Sequence, residues 1–349
     1  MIIFEAVRVL MMFALAFVVA LLITPFVVHF LLEKYALKKK NIKDEKTAPI
    51  FHQLHKQKSE TPTMGGIIIW LTVFLLAALF GLFKNLLNGF ADYFNFVNRA
   101  ETYLPLFALF FAALVGLFDD VFGILGKGPR GGGLGMKQRL LLYTLISALG
   151  AWWFYFKLGF DIIYIPFIGY ISMGFWYIPF FIFVLVATAF SANETDGLDG
   201  LAGGVLLFAF SAMTVVAFVL ERYDLAVMNA AILGALLAFI WFNIFPARFF
   251  MGDTGSMALG ITLGVTAMLT NTALFLPFFA FILVIETLSV IVQITSKKIR
   301  KKKIFLSTPI HHHFEALGWP ESRATMRFWI ISAVMTIFGL VLFFLARFV

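Results

Sequence analysis

The sequence contains no cysteine, and only 13% of its 349 residues are charged. The missing cysteine excludes disulfide frameworks, zinc–thiolate sites, iron–sulfur clusters and thiol nucleophiles. The scarcity of charge excludes an ordinary water-soluble domain, in which about a quarter of the residues are charged. What the chain has instead is apolar: 62% of its residues are hydrophobic, and 45 residues are phenylalanine. A soluble interior could not bury that much apolar surface, so the composition indicates an integral membrane protein.

Ten apolar stretches are candidates for membrane-spanning helices, each of which needs about 20 residues. Each is a continuous run and lacks the alternation that is typical of barrel strands. We therefore expect an all-α polytopic membrane protein with about ten transmembrane helices, the first of them retained, built as a single domain over residues 1–349. The candidates are residues 7–32, 65–83, 104–118, 140–157, 174–192, 200–220, 226–244, 255–271, 273–296 and 326–347.

Positive charge is unevenly distributed among the loops. Of the 27 Lys and Arg residues, 20 fall in five loops, at 33–64, 119–139, 193–199, 245–254 and 297–325. The positive-inside rule places these loops in the cytoplasm and, with ten spans, both termini in the periplasm. The basic runs at 38–40 and 297–303 are then expected to contact anionic membrane lipid, and we expect no nucleic-acid partner.

Acidic, amide and imidazole side chains gather at the edges of the same five loops. The orientation rests on Lys and Arg alone, so this clustering supports it independently. We expect these side chains to line a cleft that faces the cytoplasm. They are Asp119, Asp120, Asp196, Asp199, Asn243, Asp253, His311, His312 and His313.

Two glycine-rich turns, at residues 193–204 (NETDGLDGLAGG) and 251–256 (MGDTGS), each precede an apolar run. Glycine lets backbone N–H groups come close to a ligand, and a helix N-terminus favours anions such as phosphate. The side chains around these turns offer oxygen ligands. Mg²⁺ takes one or two carboxylates and leaves its other positions to water and substrate phosphate, so the pattern indicates a Mg²⁺ site.

Two features allow other functions. The three consecutive histidines could suggest zinc, but successive residues of a regular helix cannot all face one ion, and no HExxH spacing is present. Glu286 falls in the middle of the ninth span and is the best argument for a cation- or proton-coupled transporter. Transporter sites gather near the bilayer midplane, however, whereas the other acids lie at one rim. We interpret Glu286 as a protonated or hydrogen-bonded packing residue.

Several short motifs follow one another in a fixed order. They are residues 61–66 (TPTMGG), 119–120 (DD), 196–201 (DGLDGL), 250–256 (FMGDTGS), 309–315 (PIHHHFE), 318–321 (GWPE) and 327–329 (RFW). Through them the chain resembles the polyprenyl-phosphate N-acetylhexosamine-1-phosphate transferase superfamily, from the first cytoplasmic loop to the last span. The triple histidine before Phe-Glu, together with TPTMGG, is similar to the branch that acts on the muramoyl-pentapeptide.

The resemblance implies transfer of phospho-N-acetylmuramoyl-pentapeptide from UDP-N-acetylmuramoyl-pentapeptide to undecaprenyl phosphate, with release of UMP. It further implies a Mg²⁺ cofactor, a homodimer and a place in the bacterial inner membrane. A sister transferase that uses another UDP-N-acetylhexosamine is the nearer alternative, and the transporter is the more distant one. The reaction could pass through a covalent aspartyl intermediate or by direct attack of the lipid phosphate.

The resemblance also assigns roles to individual residues. Asp253 would be the metal ligand, and Asp119 and Asp120 would act on the lipid phosphate. The remaining matches are substrate contacts at the nucleotide, phosphate and sugar ends, with Asn243 close to the metal and His311 counted among the catalytic residues. These substrate contacts are Lys58, Thr63, Lys137, Asn193, Asp196, Asp199, Asn243, His312 and His313.

Overall fold

The computed structural model describes residues 2–29, 61–83, 89–98, 101–128 and 132–348. Within these ranges the chain is almost entirely helical, which confirms the all-α polytopic class. Lys58, predicted to contact substrate, lies outside the described residues.

Thirteen α-helices can be followed through the described ranges. They are α1 (Ile2–Val27), α2 (Ile67–Leu82), α3 (Phe90–Phe94), α4 (Tyr103–Ile124), α5 (Met136–Trp152), α6 (Tyr177–Thr195), α7 (Leu201–Val219), α8 (Tyr223–Asn243), α9 (Asp253–Leu269), α10 (Leu276–Phe279), α11 (Phe281–Ile299), α12 (Ile310–Ala316) and α13 (Glu321–Phe348). A π-helical turn, Trp153–Lys157, extends α5. Short 3₁₀ turns, Gly174–Trp176 and Ala273–Phe275, lead into α6 and α10.

All ten predicted spans coincide with helices, although not all of them are of full length. Seven of the described helices are long and apolar enough to cross a membrane, or eight if the bent α10–α11 pair counts as one span. The pair is bent by 90°, so the ninth predicted span is broken near its start. The helix α2 has 16 residues and α9 has 17, slightly fewer than the roughly 20 that a bilayer crossing needs. The count of ten crossings stays a prediction.

The centre of the molecule is α9, every residue of which is buried. Its glycines let α6 come very close: a Cβ at Gly260 would lie 2.7 Å from the Ala189 Cα, and one at Gly264 would lie 3.2 Å from the Leu185 Cα. On the neighbouring α8, a Cβ at Gly234 would lie 2.2 Å from the Phe13 carbonyl oxygen of α1. Small residues that allow close backbone packing are typical of helix contacts within membranes. The helix that carries Asp253 is therefore firmly held.

The helix α5 has the reverse of a soluble helix's pattern, because its polar side chains face the protein. Arg139, Tyr143 and Ser147 follow one another at four-residue spacing, and the last two are buried. On another face, Leu141, Leu145 and Leu149 are 59%, 52% and 72% exposed. Leucines that point away from the bundle are stable in lipid, so the polar stripe marks the packed face of α5.

The N-terminal end of α8 is fastened by a set of charged and amide groups. Arg8 of α1 donates to the Asp224 carboxylate at 2.6 Å and to the Asn95 carbonyl at 2.8 Å, and it also pairs with Glu5. The Asn98 amide donates to the other Asp224 oxygen at 2.8 Å. These contacts tie α1, α8 and the segment after α3 together at the end opposite Asn243.

A small antiparallel hairpin joins the end of α5 to α6. Strands β1 (Ile162–Ile165) and β2 (Gly169–Ser172) pair from Ile162 with Ser172 to Ile165 with Gly169. Asp161 accepts a hydrogen bond from the Ser172 hydroxyl at 2.9 Å, which ties the residue before β1 to the last residue of β2.

Candidate active site

Two of the motifs predicted from sequence lie side by side through backbone hydrogen bonds. The Gly65 and Gly66 N–H groups donate to the carbonyls of Phe250 and Met251, both at 2.8 Å, and the Phe250 N–H donates back to the Pro62 carbonyl at 2.8 Å. A Cβ at Gly66 would lie only 2.3 Å from the Gly255 Cα. Glycine is required at such a contact because any side chain would force the two segments apart. The TPTMGG and FMGDTGS segments thus form one rigid backbone unit.

The adjacent aspartates at the end of α4 are both buried and point to different partners. Asp120 accepts from the Thr254 N–H at 3.0 Å and, more weakly, from the Thr63 hydroxyl at 3.5 Å. Asp119 accepts from the Leu134 N–H at 2.6 Å. Backbone donors favour the charged form of a carboxylate, so this arrangement lets two neighbouring carboxylates remain close together.

Arg139 lies at the centre of the acidic side chains. Its guanidinium is 2.6 Å from an Asp119 oxygen and 3.1 Å from an Asp253 oxygen, and it donates to the side-chain Oδ1 of Asn193 at 3.0 Å. The Asn193 amide in turn donates to the other Asp253 oxygen and, at 3.1 Å, to the Ser256 hydroxyl. We call these four residues, Asp119, Arg139, Asn193 and Asp253, the acid–arginine cluster.

Sequence reasoning missed Arg139 and chose Lys137 from the same helix. The structure places Lys137 on an exposed face of α5, whereas Arg139 begins the stripe that faces the protein. The signal was available: Tyr143, Ser147 and Ala151 continue at four-residue spacing from Arg139 and interrupt an otherwise leucine-rich helix. Residues at that spacing share one helix face.

Three other predicted site residues join the loops to one another. Asp196 accepts from the Gly252 N–H at 3.0 Å, and Asp199 accepts from the Ala247 N–H at 2.9 Å. Asn243, at the end of α8, accepts from the Gly200 N–H at 3.1 Å and donates to the Phe249 carbonyl at 2.8 Å. These contacts fix the DGLDGL turn against the loop that precedes Asp253.

Glu321 was not among the predicted site residues, although it belongs to the GWPE motif. Its carboxylate accepts from the Asp199 N–H at 2.5 Å. One turn further along α13, the Thr325 hydroxyl donates to the Asp199 carbonyl at 3.1 Å. The last long helix is thereby attached to the same turn.

The three histidines point to three different partners. His311 Nδ1 is 2.9 Å from a carboxylate oxygen of Glu286, and both side chains are fully buried. His312 Nδ1 is 2.7 Å from Glu315 one turn further along α12. His313 Nδ1 instead accepts from the Leu306 N–H at 3.2 Å. They diverge as expected for successive helical residues.

Glu286 is therefore hydrogen-bonded as predicted, and its partner is a residue of the candidate site. The ring of His311 is held on the opposite side by the DGLDGL turn, because a Cβ at Gly197 would lie 2.3 Å from His311 Nε2. The glutamate on α11 and the glycine of the turn thus fix the orientation of the imidazole between them.

The donor set of the acid–arginine cluster fits Mg²⁺, although the described residues contain no group of three or more His, Asp or Glu side chains that could hold a metal by themselves. Mg²⁺ commonly takes only one or two protein carboxylates. Asp119 and Asp253 each direct an oxygen at the same guanidinium, which shows that these two oxygens face one cationic centre. Carboxylate and amide oxygens are the hard ligands that this ion prefers.

Comparison with known proteins agrees with this geometry. Residues 102–271, from just before α4 to just after α9, match glycosyl transferase family 4. A phospho-N-acetylmuramoyl-pentapeptide-transferase of Clostridium beijerinckii is 38% identical over 82% of this chain and 84% of its own. The chain belongs to the phospho-N-acetylmuramoyl-pentapeptide-transferase family. Relatives with the same name from Clostridium novyi and Borreliella afzelii are 38% and 36% identical, and each comparison covers 93% of this chain and 93% and 92% of theirs.

Membership of this family defines the chain as a multi-pass membrane transferase of the phosphoglycosyl type. The matched range contains Asp119, Arg139, Asn193 and Asp253, so the whole acid–arginine cluster lies within the shared region. The TPTMGG segment and the three histidines lie outside it, and they are covered by the longer matches to the named relatives.

Proposed function

We propose that the protein transfers phospho-N-acetylmuramoyl-pentapeptide from UDP-N-acetylmuramoyl-pentapeptide to undecaprenyl phosphate and releases UMP. The observation that carries the proposal is the acid–arginine cluster, built on helices α4, α5, α6 and α9 of a chain that is 38% identical to a transferase of that name over 93% of its length.

In this reaction a bond forms between an oxygen of the lipid phosphate and the sugar-bearing β-phosphorus of the donor, either directly or by way of an aspartyl intermediate. The bond between that phosphorus and the bridging oxygen breaks, and UMP leaves with the bridging oxygen. The product is a lipid diphosphate that carries the sugar. Catalysis of phosphoryl transfer rests mainly on positioning and on neutralising negative charge.

Different residues of the chain would carry out the positioning and the neutralisation of charge. Asp253 would hold Mg²⁺, which neutralises phosphate charge when bound. Asp120, fixed by the Thr254 N–H, would orient the lipid phosphate with Asp119. Arg139 contributes a permanent positive charge in a fork that matches phosphate oxygens.

The histidine end of the site would contact the sugar phosphate. His311 lies against Gly197 of the DGLDGL turn, and that turn is joined through Asp196 to the loop before Asp253. His312 and His313 extend the same short helix. Imidazole N–H groups are suitable donors for phosphate and sugar oxygens.

A membrane-embedded scaffold suits a polyprenyl acceptor, whose phosphate must reach the headgroup level while its tail stays in lipid. We propose that the site opens on the cytoplasmic face of the inner membrane, and the distribution of Lys and Arg among the loops supports this orientation. Single cysteines at Lys303 and Tyr170, both exposed, test this in a chain that has no native cysteine. An impermeant thiol reagent added to intact cells should label position 170 and not position 303, and the reverse result would contradict the proposed orientation.

The activity itself is tested with purified protein, undecaprenyl phosphate and Mg²⁺. UMP release is compared between UDP-N-acetylmuramoyl-pentapeptide and UDP-N-acetylglucosamine. We expect release with the pentapeptide donor alone. Release with the simpler sugar alone would assign the chain to a sister activity, and release with neither would contradict a transferase of this type.

A further inference from the structure

The buried hydroxyl of Tyr143 lies near the acid–arginine cluster. The Tyr143 side chain is 1% exposed, and its hydroxyl finds no hydrogen-bond partner among the described residues. Buried hydroxyl groups are nearly always satisfied, because an unpaired one loses its hydrogen bonds to water without replacement. Such an exception calls for an explanation.

The position of Tyr143 supplies one. It lies one helical turn beyond Arg139 on the packed face of α5, and residues four apart on a helix are neighbours. The charged side chains within electrostatic range of its hydroxyl are Asp253, Arg139, Asp119 and Glu194. The hydroxyl is therefore buried beside the acid–arginine cluster.

The neighbouring carboxylates already have donors. Both oxygens of Asp253 are engaged, one by the Asn193 amide and the other by Arg139. Both oxygens of Asp119 are engaged likewise, by the Leu134 N–H and Arg139. A phenolic O–H at this place is a donor suited to an acceptor that enters the cluster from outside the chain.

We propose that the Tyr143 hydroxyl donates a hydrogen bond to a phosphate oxygen of a bound substrate at the acid–arginine cluster. The inference rests on the proposed function, and it adds a substrate-binding residue that neither the motifs nor the resemblance indicates. The phosphate belongs either to the nucleotide donor or to the lipid acceptor, and kinetics with each substrate in turn distinguish the two.

The chain offers two matched controls. Tyr177 at the start of α6 is fully buried and its hydroxyl also lacks a partner among the described residues, but it lies at the end of α6 opposite Asn193 and the acid–arginine cluster. Ser147 continues the α5 stripe one turn further from Arg139, and its buried hydroxyl is likewise without a described partner. If an unpaired hydroxyl were merely a packing feature, all three would behave alike.

The experiment compares wild type with Tyr143→Phe, Tyr177→Phe and Ser147→Ala. UMP release is measured while each substrate is varied at saturating concentration of the other. We expect Tyr143→Phe to lower kcat/KM about 10- to 100-fold for the substrate whose phosphate it contacts, since hydrogen bonds to charged groups are strong. The two control variants should stay within about twofold of wild type. The thermal unfolding midpoint of Tyr143→Phe should not fall.

Three results would overturn the inference. They are kinetics within twofold of wild type for both substrates in Tyr143→Phe, an equal loss in Tyr177→Phe, or a loss of activity accompanied by a lowered unfolding midpoint. Calorimetric binding of UDP-N-acetylmuramoyl-pentapeptide and of undecaprenyl phosphate, each added alone so that no turnover occurs, gives an independent readout. Equal binding of both ligands to wild type and Tyr143→Phe would contradict the role of the hydroxyl. Wild-type protein that binds them but releases no UMP from either donor would contradict the proposed function alone.

Discussion

Near each end of α8 an arginine from another helix is ion-paired with carboxylates. The carboxylates at the two ends are held in place by different kinds of hydrogen-bond donor. At the N-terminal end, Asp224 receives the side chains of Arg8 and Asn98. Near the C-terminal end, four of the five aspartates receive backbone N–H groups, as Asp196 does from Gly252. The helix has 21 residues, so the two ends are about 30 Å apart.

The difference shows what distinguishes a structural tie from a site prepared for chemistry. Side-chain pairs join three segments at the Arg8 end, and their charges are close to balanced. At the other end the described residues include five aspartates: Arg139 contacts two of them, and backbone donors fix four of them before any ligand arrives. An excess of negative charge held in place favours a bound cation, and preorganised groups are what phosphoryl transfer needs. The aspartates of that set are Asp119, Asp120, Asp196, Asp199 and Asp253.

Substitution of either of the adjacent aspartates at the C-terminal end should produce a large loss of turnover. Asp119→Asn and Asp120→Asn are each expected to lower turnover by about 100-fold or more, because the amide cannot orient or accept a proton from the lipid phosphate as a carboxylate does. The apparent Mg²⁺ affinity should change less than turnover. Initial rates of UMP release across a Mg²⁺ series measure both.

Asp161→Asn is the matched control for this pair. Asp161 is a carboxylate that accepts a hydrogen bond from Ser172 in the outer hairpin, far from the cluster along the chain. The same chemical change there should leave turnover within about twofold of wild type. If Asp161→Asn lost as much activity as Asp120→Asn, the contrast between structural and catalytic carboxylates would be untenable.

Loss of the central cation should have the next largest effect. Arg139→Met leaves Asp119 and Asp253 adjacent without their shared guanidinium, so we expect turnover to fall about 10- to 100-fold and stability to fall by about 2 kcal/mol, less than for a fully buried pair because the arginine is partly exposed. Arg139→Lys keeps the charge without the planar fork and should be intermediate.

The comparison variant is Lys137→Met on the same helix. Its side chain lies on an exposed face, so kinetics and unfolding midpoint should both match wild type within error. A larger loss from Lys137→Met than from Arg139→Met would show that the sequence-based choice was the better one.

Two substitutions of Glu286 distinguish the effect of its hydrogen bond from the effect of its charge. Glu286→Gln keeps an oxygen that can accept from His311 Nδ1, so it should retain most activity, whereas Glu286→Leu removes the acceptor and should lower turnover about tenfold. Steady-state kinetics of the two variants measure the contrast. Complete loss of turnover in Glu286→Gln would give this carboxylate a role in the chemistry itself.

The smallest effect on activity is expected at the other end of α8. Arg8→Met removes the charge that pairs with Asp224, so the protein should lose about 2 kcal/mol of stability while its kcat and KM remain those of wild type. Thermal unfolding in detergent and UMP release are measured on the same preparation. A change in kcat at unchanged stability would show that this end also acts on the reaction.

The sequence allowed the helices and the grouping of the motifs to be predicted because both follow from local patterns. Apolar runs mark spans, and Lys and Arg orient them. The packed face of a helix and the contact partner of a side chain depend on tertiary packing, so both were predicted less well from the sequence. Lys137 and Arg139 are two residues apart and chemically alike, and only the packing of α5 decides which of them faces Asp253.

The pairing of Glu286 with His311 shows the same limit. The two residues are 25 positions apart, on α11 and α12, and no local pattern connects them. A carboxylate in the middle of a span indicates that some partner exists, because burying a carboxylate without one is costly. Which partner it is depends on where the chain returns after α11.

We propose that metal-dependent chemistry takes place near the C-terminal end of α8 and not near its N-terminal end. Asp253→Asn and Asp224→Asn make the same chemical change, the first near the C-terminal end of α8 and the second near its N-terminal end. UMP release is measured for both variants across a wide Mg²⁺ range. We expect Asp253→Asn to show no turnover at any Mg²⁺ concentration, since a charged oxygen ligand has been replaced by a weak neutral one, and Asp224→Asn to retain wild-type turnover and Mg²⁺ dependence. Turnover by Asp253→Asn at ordinary Mg²⁺ concentration would contradict the account.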